Sequence, residues 1–198
     1  MERKYAWHNY DDATMEKVYA LSDTYRQFLD NGKTERECVV QAVEFAEAKG
    51  YVNLKDIIKS NTPIKARDKL YYTHMDKSIA LFNIGTDDIE LGMNILGAHI
   101  DSPRIDVKQN PQYEDSNLVF WDTHYYGGIK KYHWVAMPLA IHGVVVKTDG
   151  TRININIGDK ENDPVFCITD LLPHLGQEQM QKNAAKVIEG EALDLLIG

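Results

Sequence analysis

The stretch Met93-Asn94-Ile95-Leu96-Gly97-Ala98-His99-Ile100-Asp101-Ser102-Pro103 decides how the rest of this 198-residue chain is read. Residues 93 to 98 form a run that is continuously apolar rather than alternating, which predicts a buried strand of the kind found in α/β sheets. Side chains two apart in an extended chain point the same way, so His99 and Asp101 are expected to project together beyond the strand's C-terminal end. Open α/β sheets hold their ligands at that edge. A histidine binds a metal as neutral imidazole, and its other ring nitrogen needs a carboxylate or carbonyl to fix the tautomer. Asp101 is placed to orient His99 directly or through the site's hydrogen bonds. Gly97 removes a side chain beside the pair, and Pro103 prevents the strand from continuing after Ser102. Taken alone, the pair reads first as a strand-end histidine beside a surface carboxylate, because His-x-Asp pairs arise by chance.

Upstream of this stretch the pattern is helical. Between Asp12 and Asn31, Met15, Val18, Tyr19, Leu21, Tyr25, Phe28 and Leu29 recur at spacings of three and four, predicting an amphipathic helix that ends at Asn31-Gly32. Thr34 with Glu37 forms a capping box ahead of a second helix that stops at Lys49-Gly50. Leu70-Tyr71-Tyr72-Thr73 and Ser78 to Asn83, flanking Met75-Asp76-Lys77, outline a hairpin. Downstream of Pro103 the signal turns to β-structure, with runs at Leu118 to Trp121, at His133 to Val146 and in the alternating Thr151 to Ile157. A boundary is expected near residues 103 to 106, giving an α/β lobe and a β-rich segment. The apolar ending Leu193 to Gly198 reads as the start of a packed element.

Composition narrows the function classes. With 43% hydrophobic residues the chain can bury a core. A net charge of -8, with no Lys/Arg-rich block interleaved with aromatics, argues against nucleic acid as a partner. Cys38 and Cys167 lack CxxC or paired spacing, so neither a disulfide framework nor a cysteine zinc site is expected. No stretch approaches the roughly 20 apolar residues of a membrane span, and no apolar signal segment follows Met1. The expected setting is cytoplasmic, without a membrane partner.

Ala98-His99-Ile100-Asp101-Ser102-Pro103-Arg104, followed by Tyr126-Gly127-Gly128, a long apolar segment from Trp134 to Val146, Leu172-Pro173-His174-Leu175 and the closing Gly190 to Leu196, resembles the aspartyl aminopeptidase and vacuolar aminopeptidase I family of zinc exopeptidases. The resemblance covers nearly the whole chain. It implies a zinc-exopeptidase-like mixed sheet with helices over residues 1–103. It further implies a β-rich inserted dimerisation domain over 104–190 and a return towards the catalytic domain over 191–198. By the same resemblance His99 is a zinc ligand, Asp101 the catalytic acid that orients it, and His174 a residue that reaches a partner subunit's active site. His174 also reads simply as a histidine at a helix start after proline. Tyr126-Gly127-Gly128 departs from the triple glycine common in the family, which leaves the details of that turn open. The other histidines, His8, His74, His124, His133 and His142, show no metal spacing and read as structural, with His133 and His142 on apolar strands.

A two-zinc site needs a bridging carboxylate, further ligands on each metal and a free carboxylate as base. This chain offers one good ligand, so the C-terminal part of the catalytic domain is expected to be absent from it. The implied activity is release of N-terminal amino acids from peptides by zinc-activated water, in a homo-oligomer, with these 198 residues inactive alone. The alternative is a non-catalytic oligomerisation module derived from such a peptidase; a third reading is an unrelated α/β binding domain with a chance His-x-Asp. Arg104 and Lys108 could select an acidic substrate side chain, or be simple solvated cations.

Overall fold

The periodic stretch after Asp11 folds as helix α1 (Asp12–Asn31) in a computed structural model that describes residues 3–198. Asp11 caps it by accepting the Thr14 backbone N–H at 2.9 Å, which satisfies one of the donors every helix start leaves without an internal partner. Helix α2 (Glu35–Ala48) begins at the expected capping box: the Thr34 hydroxyl accepts the Glu37 N–H at 3.4 Å, and the Glu37 carboxylate accepts the Thr34 N–H at 2.9 Å. Strand β1 (Val52–Asn53) and helix α3 (Leu54–Lys59) follow. The hairpin is β2 (Lys69–His74) with β3 (Ser78–Asn83). Its turn holds Met75 and Asp76 at φ of 52° and 56°, a conformation L-residues rarely adopt. Strand β1 runs parallel to β2 and β3 antiparallel to it, so the sheet is mixed, in the order β1-β2-β3. Cys38, Val39 and Ala46 of α2 and Leu70 and Tyr71 of β2 are the buried residues here. Two compact units result, one ending at Asp101 and the other spanning Ser102–Gly198.

Residues 93 to 98 do not form the expected strand. They run as irregular chain after a short 3-10 turn at Ile89–Leu91, with Ile95 81% and Leu96 100% exposed. A strand exists only when a neighbour takes up its N–H and C=O groups. None of the described strands pairs with this segment. The apolar face of α1 is equally open, with Tyr19, Leu21 and Tyr25 all more than half exposed. Apolar patterning therefore registered the capacity for burial, whereas the covering surface is not found in these residues.

In the second unit, β4 (Arg104–Asp115) and β5 (Leu118–Tyr126) form a long antiparallel hairpin closed by Ser116 and Asn117, both at positive φ, as two-residue hairpin turns of right-handed twist require. Only the second of these strands is legible in the sequence. Strand β4 carries Lys108-Gln109-Asn110-Pro111 at a register shift between Val107 and Gln112, and such a bulge breaks the alternation that marks a strand. Strands β6 (Ile141–Val146) and β7 (Arg152–Ile157) pair as a second hairpin. The apolar run expected from His133 is a strand only from Ile141. His133 lies instead on a 3-10 turn, Lys131–His133, because its N–H is used by the Lys130 carbonyl in a local turn rather than by a ladder. A short helix α4 (Gln177–Met180) precedes β8 (Leu195–Leu196), which pairs with β5. Ile168, Leu193 and Leu195 are the buried centre, packed by Trp121, Tyr125, Trp134 and Phe166. Thr123, 1% exposed, donates its hydroxyl to the Leu193 carbonyl at 2.6 Å and fastens this last segment to the hairpin.

Candidate functional site

His99 and Asp101 are brought together, although not by strand geometry. The His99 Nδ1 stands 3.0 Å from the Asp101 backbone oxygen and 3.3 Å from its Oδ1. The chain between them folds back enough for residue 99 to address residue 101 itself. Both acceptors lie on the Nδ1 side, which favours the tautomer with the proton on Nδ1 and leaves the Nε2 lone pair directed away from Asp101. The imidazole is 84% exposed, while the Asp101 side chain is 37% exposed. What this pair can do chemically is present one oriented imidazole nitrogen, Nε2, to a cation.

His174 lies in the second unit. Leu172 accepts N–H groups from Leu175 and Gly176 at 2.9 Å, and this turn, after Pro173, leads into α4. His174 is exposed, among exposed Leu171, Leu172 and Leu175. It stands before the helix rather than in it. At the end of β5, Gly127 takes φ of 79°, and a Cβ there would sit 3.4 Å from Pro103 Cα. Backbone conformation thus calls for glycine at the first of the two glycines, while the space beside it would admit a Cβ at ordinary contact distance.

The remaining candidates have structural partners. Arg104 donates from Nε to Asp106 at 2.7 Å and lies 4.3 Å over the Tyr126 ring. Lys108 reaches Asp122 at 2.8 Å and Glu191 at 3.3 Å, and Glu191 also meets His124 Nδ1 at 2.8 Å. The Lys108 ammonium, followed by His124, holds the Glu191 carboxyl below its usual range; Asp122 first, then Glu191, raises Lys108. Sequence reading missed this network because its members are distant along the chain and lack any motif. His142 Nε2 lies 3.1 Å from Asp159 Oδ2 at the margin of the second hairpin, with its side chain 9% exposed. Tyr113 donates to Asp194 at 2.7 Å, which pushes its pKa up to about 12. Cys38 and Cys167 are free thiols. Among the described residues no group of three or more His, Cys, Asp or Glu is arranged to hold a metal ion, and no helix is long and apolar enough to cross a membrane.

Comparison with known proteins supplies the context. The family model described as aminopeptidase I zinc metalloprotease (M18) matches residues 28–197. A probable M18 family aminopeptidase 1 from Clostridium acetobutylicum is 53% identical over 197 residues, covering 100% of this chain and 42% of that protein. The crystal structure of an M18 family aminopeptidase from Thermotoga maritima superposes with a TM-score of 0.89 at 44% identity, covering 100% of this chain and 42% of the other. The mApe1 dodecamer of S. cerevisiae, 17% identical, shares the fold with a TM-score of 0.58 over 89% of this chain and 47% of its own. The chain thus spans less than half the length of the relatives it matches.

Proposed function

Because the chain belongs to the M18 family of aminopeptidase I zinc metalloproteases, we propose that it is the part of such an enzyme that carries a first metal ligand and a subunit-contact domain, within a protein that removes N-terminal amino acids from peptides. The observation that carries this reading is the His99–Asp101 geometry, in which Nδ1 is occupied at 3.0 Å and Nε2 is left to a metal. His99 would hold zinc through Nε2, and Asp101 would fix the ring. A catalytic zinc takes about three protein ligands, and the described residues present one oriented imidazole and no cluster of three. They do not complete a site, so no bond-making step is assigned to them. Zinc in a completed site supplies Lewis acidity and an activated water.

The other ligands and the catalytic base are proposed to come from the length that the relatives have outside the matched share. The open apolar surface of the first unit, with Tyr19, Leu21, Ile95 and Leu96 uncovered, supports this reading, since such patches mark surfaces that another segment covers. The second unit is proposed as the dimerisation domain of a homo-oligomer, with His174 reaching a peptide held by the partner subunit. Exposed Leu171, Leu172 and Leu175 around it are the kind of apolar surface a subunit contact uses. Free thiols at Cys38 and Cys167 are consistent with a cytoplasmic, reducing setting.

The test joins this chain to the remaining length of the Clostridium acetobutylicum relative and measures zinc content with leucyl- and aspartyl-anilide hydrolysis. The expected result is zinc binding and turnover by the joined polypeptide, lost in His99→Ala, and neither in the 198-residue chain. Turnover by the short chain alone would overturn the incomplete-site reading. A joined polypeptide that folds and oligomerises without zinc or activity would instead favour the non-catalytic module.

A further inference from the structure

We propose that the second unit carries a binding site for a small oxyanion, formed by Lys131, Lys182 and Lys186 around one cavity. The cavity measures about 330 Å³, at the lower end of the range for small-molecule sites. Glu189 is the one acidic residue lining it, and it lies 3.6 Å from the Lys182 ammonium. Three lysines and one glutamate line it, an excess of two positive charges among its lining residues in a chain whose net charge is -8. Among the described residues, Lys131 and Lys186 have no carboxylate within ion-pair distance. Cations gathered without counter-charges repel one another, and an anion placed between them removes that cost.

The site is held by packing as well as charge. The Lys131 ammonium sits 4.7 Å from the centre of the Tyr125 ring, and that ring lies against Gly190, where a Cβ would collide with Tyr125 and come within 2.7 Å of Lys131 Cε. Absence of a side chain at Gly190 therefore lets the lysine stem and the ring close on the 189–191 backbone, fixing one wall. Ala185 and Ile188 add apolar residues to the lining. A carboxylate on a short aliphatic stem, or an inorganic phosphate, has the charge and size to fit. The two share oxyanion chemistry and differ in whether the apolar lining is used.

Ligand-observed NMR at constant ionic strength tests this, reading phosphorus-31 linewidths for inorganic phosphate and proton saturation transfer for glutarate. It is run on the 198-residue chain and on the polypeptide joined to the relative's remaining length. Saturable binding of at least one probe is expected, weakened about five- to tenfold in Lys186→Gln, the fold-change of losing one charge-assisted hydrogen bond near solvent. Lys147→Gln, the same charge change elsewhere in the second unit, should leave binding intact. Tighter glutarate would identify an acidic side chain or small dicarboxylate as the source; tighter phosphate would identify a phosphate. Absence of saturation with both probes, or equal weakening by Lys186→Gln and Lys147→Gln, overturns the site.

Discussion

The Nδ1 of His99 is 3.0 Å from the backbone carbonyl oxygen of Asp101, closer than the 3.3 Å that separates it from the Asp101 carboxylate. The backbone therefore makes the shorter orienting contact, and the side chain adds a second acceptor. Asp101→Asn preserves the first and alters only the second. In the isolated chain, His99→Ala should change unfolding free energy by no more than about 0.5 kcal/mol, the usual range for an exposed residue, because the imidazole is 84% exposed. Urea denaturation measures it. In the joined polypeptide the same substitution should remove zinc, and Asp101→Asn should weaken zinc binding by about 10- to 100-fold, as loss of an orienting partner does. Equal zinc affinity for Asp101→Asn and the parent would mean that the carbonyl alone orients the ring.

Thr34→Ala removes one half of a reciprocal cap. The Glu37 N–H loses its side-chain acceptor, and the first unit should lose about 1 kcal/mol of stability, within the range for N-cap truncations. Thr34→Ser retains the oxygen and should recover most of the loss. Thermal unfolding followed by far-ultraviolet circular dichroism reports both.

Thr123→Val replaces a buried hydroxyl that donates to the Leu193 carbonyl at 2.6 Å. The shape is nearly unchanged, but a buried carbonyl loses its donor. That costs about 1–3 kcal/mol. Hydrogen exchange should show the effect concentrated in β8 and the neighbouring part of β5, since this bond ties the last segment to the hairpin. Uniform acceleration across the second unit would contradict that role.

The Lys108–Glu191–His124 network gives a pH dependence whose sign follows from the shifts. The Glu191 carboxyl is lowered from 4.5, so its contribution is complete above its unfolded value and fades as pH falls through the lower folded one. Lys108 is raised from 10.5, so its contribution is complete below that value and fades as pH rises through the higher folded one. Glu191 is exposed and Lys108 half-buried at the surface, so solvent screens both and the effects are small. Glu191→Gln should flatten the acidic limb of the stability profile, and added salt should diminish the difference. Guanidinium-free urea titrations across pH measure it. An acidic limb unchanged in Glu191→Gln would assign that limb to other carboxylates.

Local chemistry made half of this molecule legible. The Thr34–Glu37 cap, the three-and-four spacing of α1, the breaks at Gly32 and Gly50 and the alternation of β7 each act within a few residues, so their outcome is written in adjacent positions. The His99–Asp101 pair was legible for the same reason, its members being two apart. Strand β4 was not, because a bulge and Pro111 hid its alternation. Residues 93 to 98 misled in the opposite direction: their apolar run announces a strand, yet pairing depends on a neighbour that the described residues do not offer.

The sequence by itself determined the helices, the hairpin ends and the identity of the first metal-ligand candidate, since these rest on propensity, caps and short-range contacts. Only the tertiary structure decided that Glu191 joins Lys108 to His124, and that Lys131 shares one cavity with Lys182 and Lys186, which lie far along the chain from it. Those relations depend on which parts of the chain are folded against each other, and no local pattern encodes them.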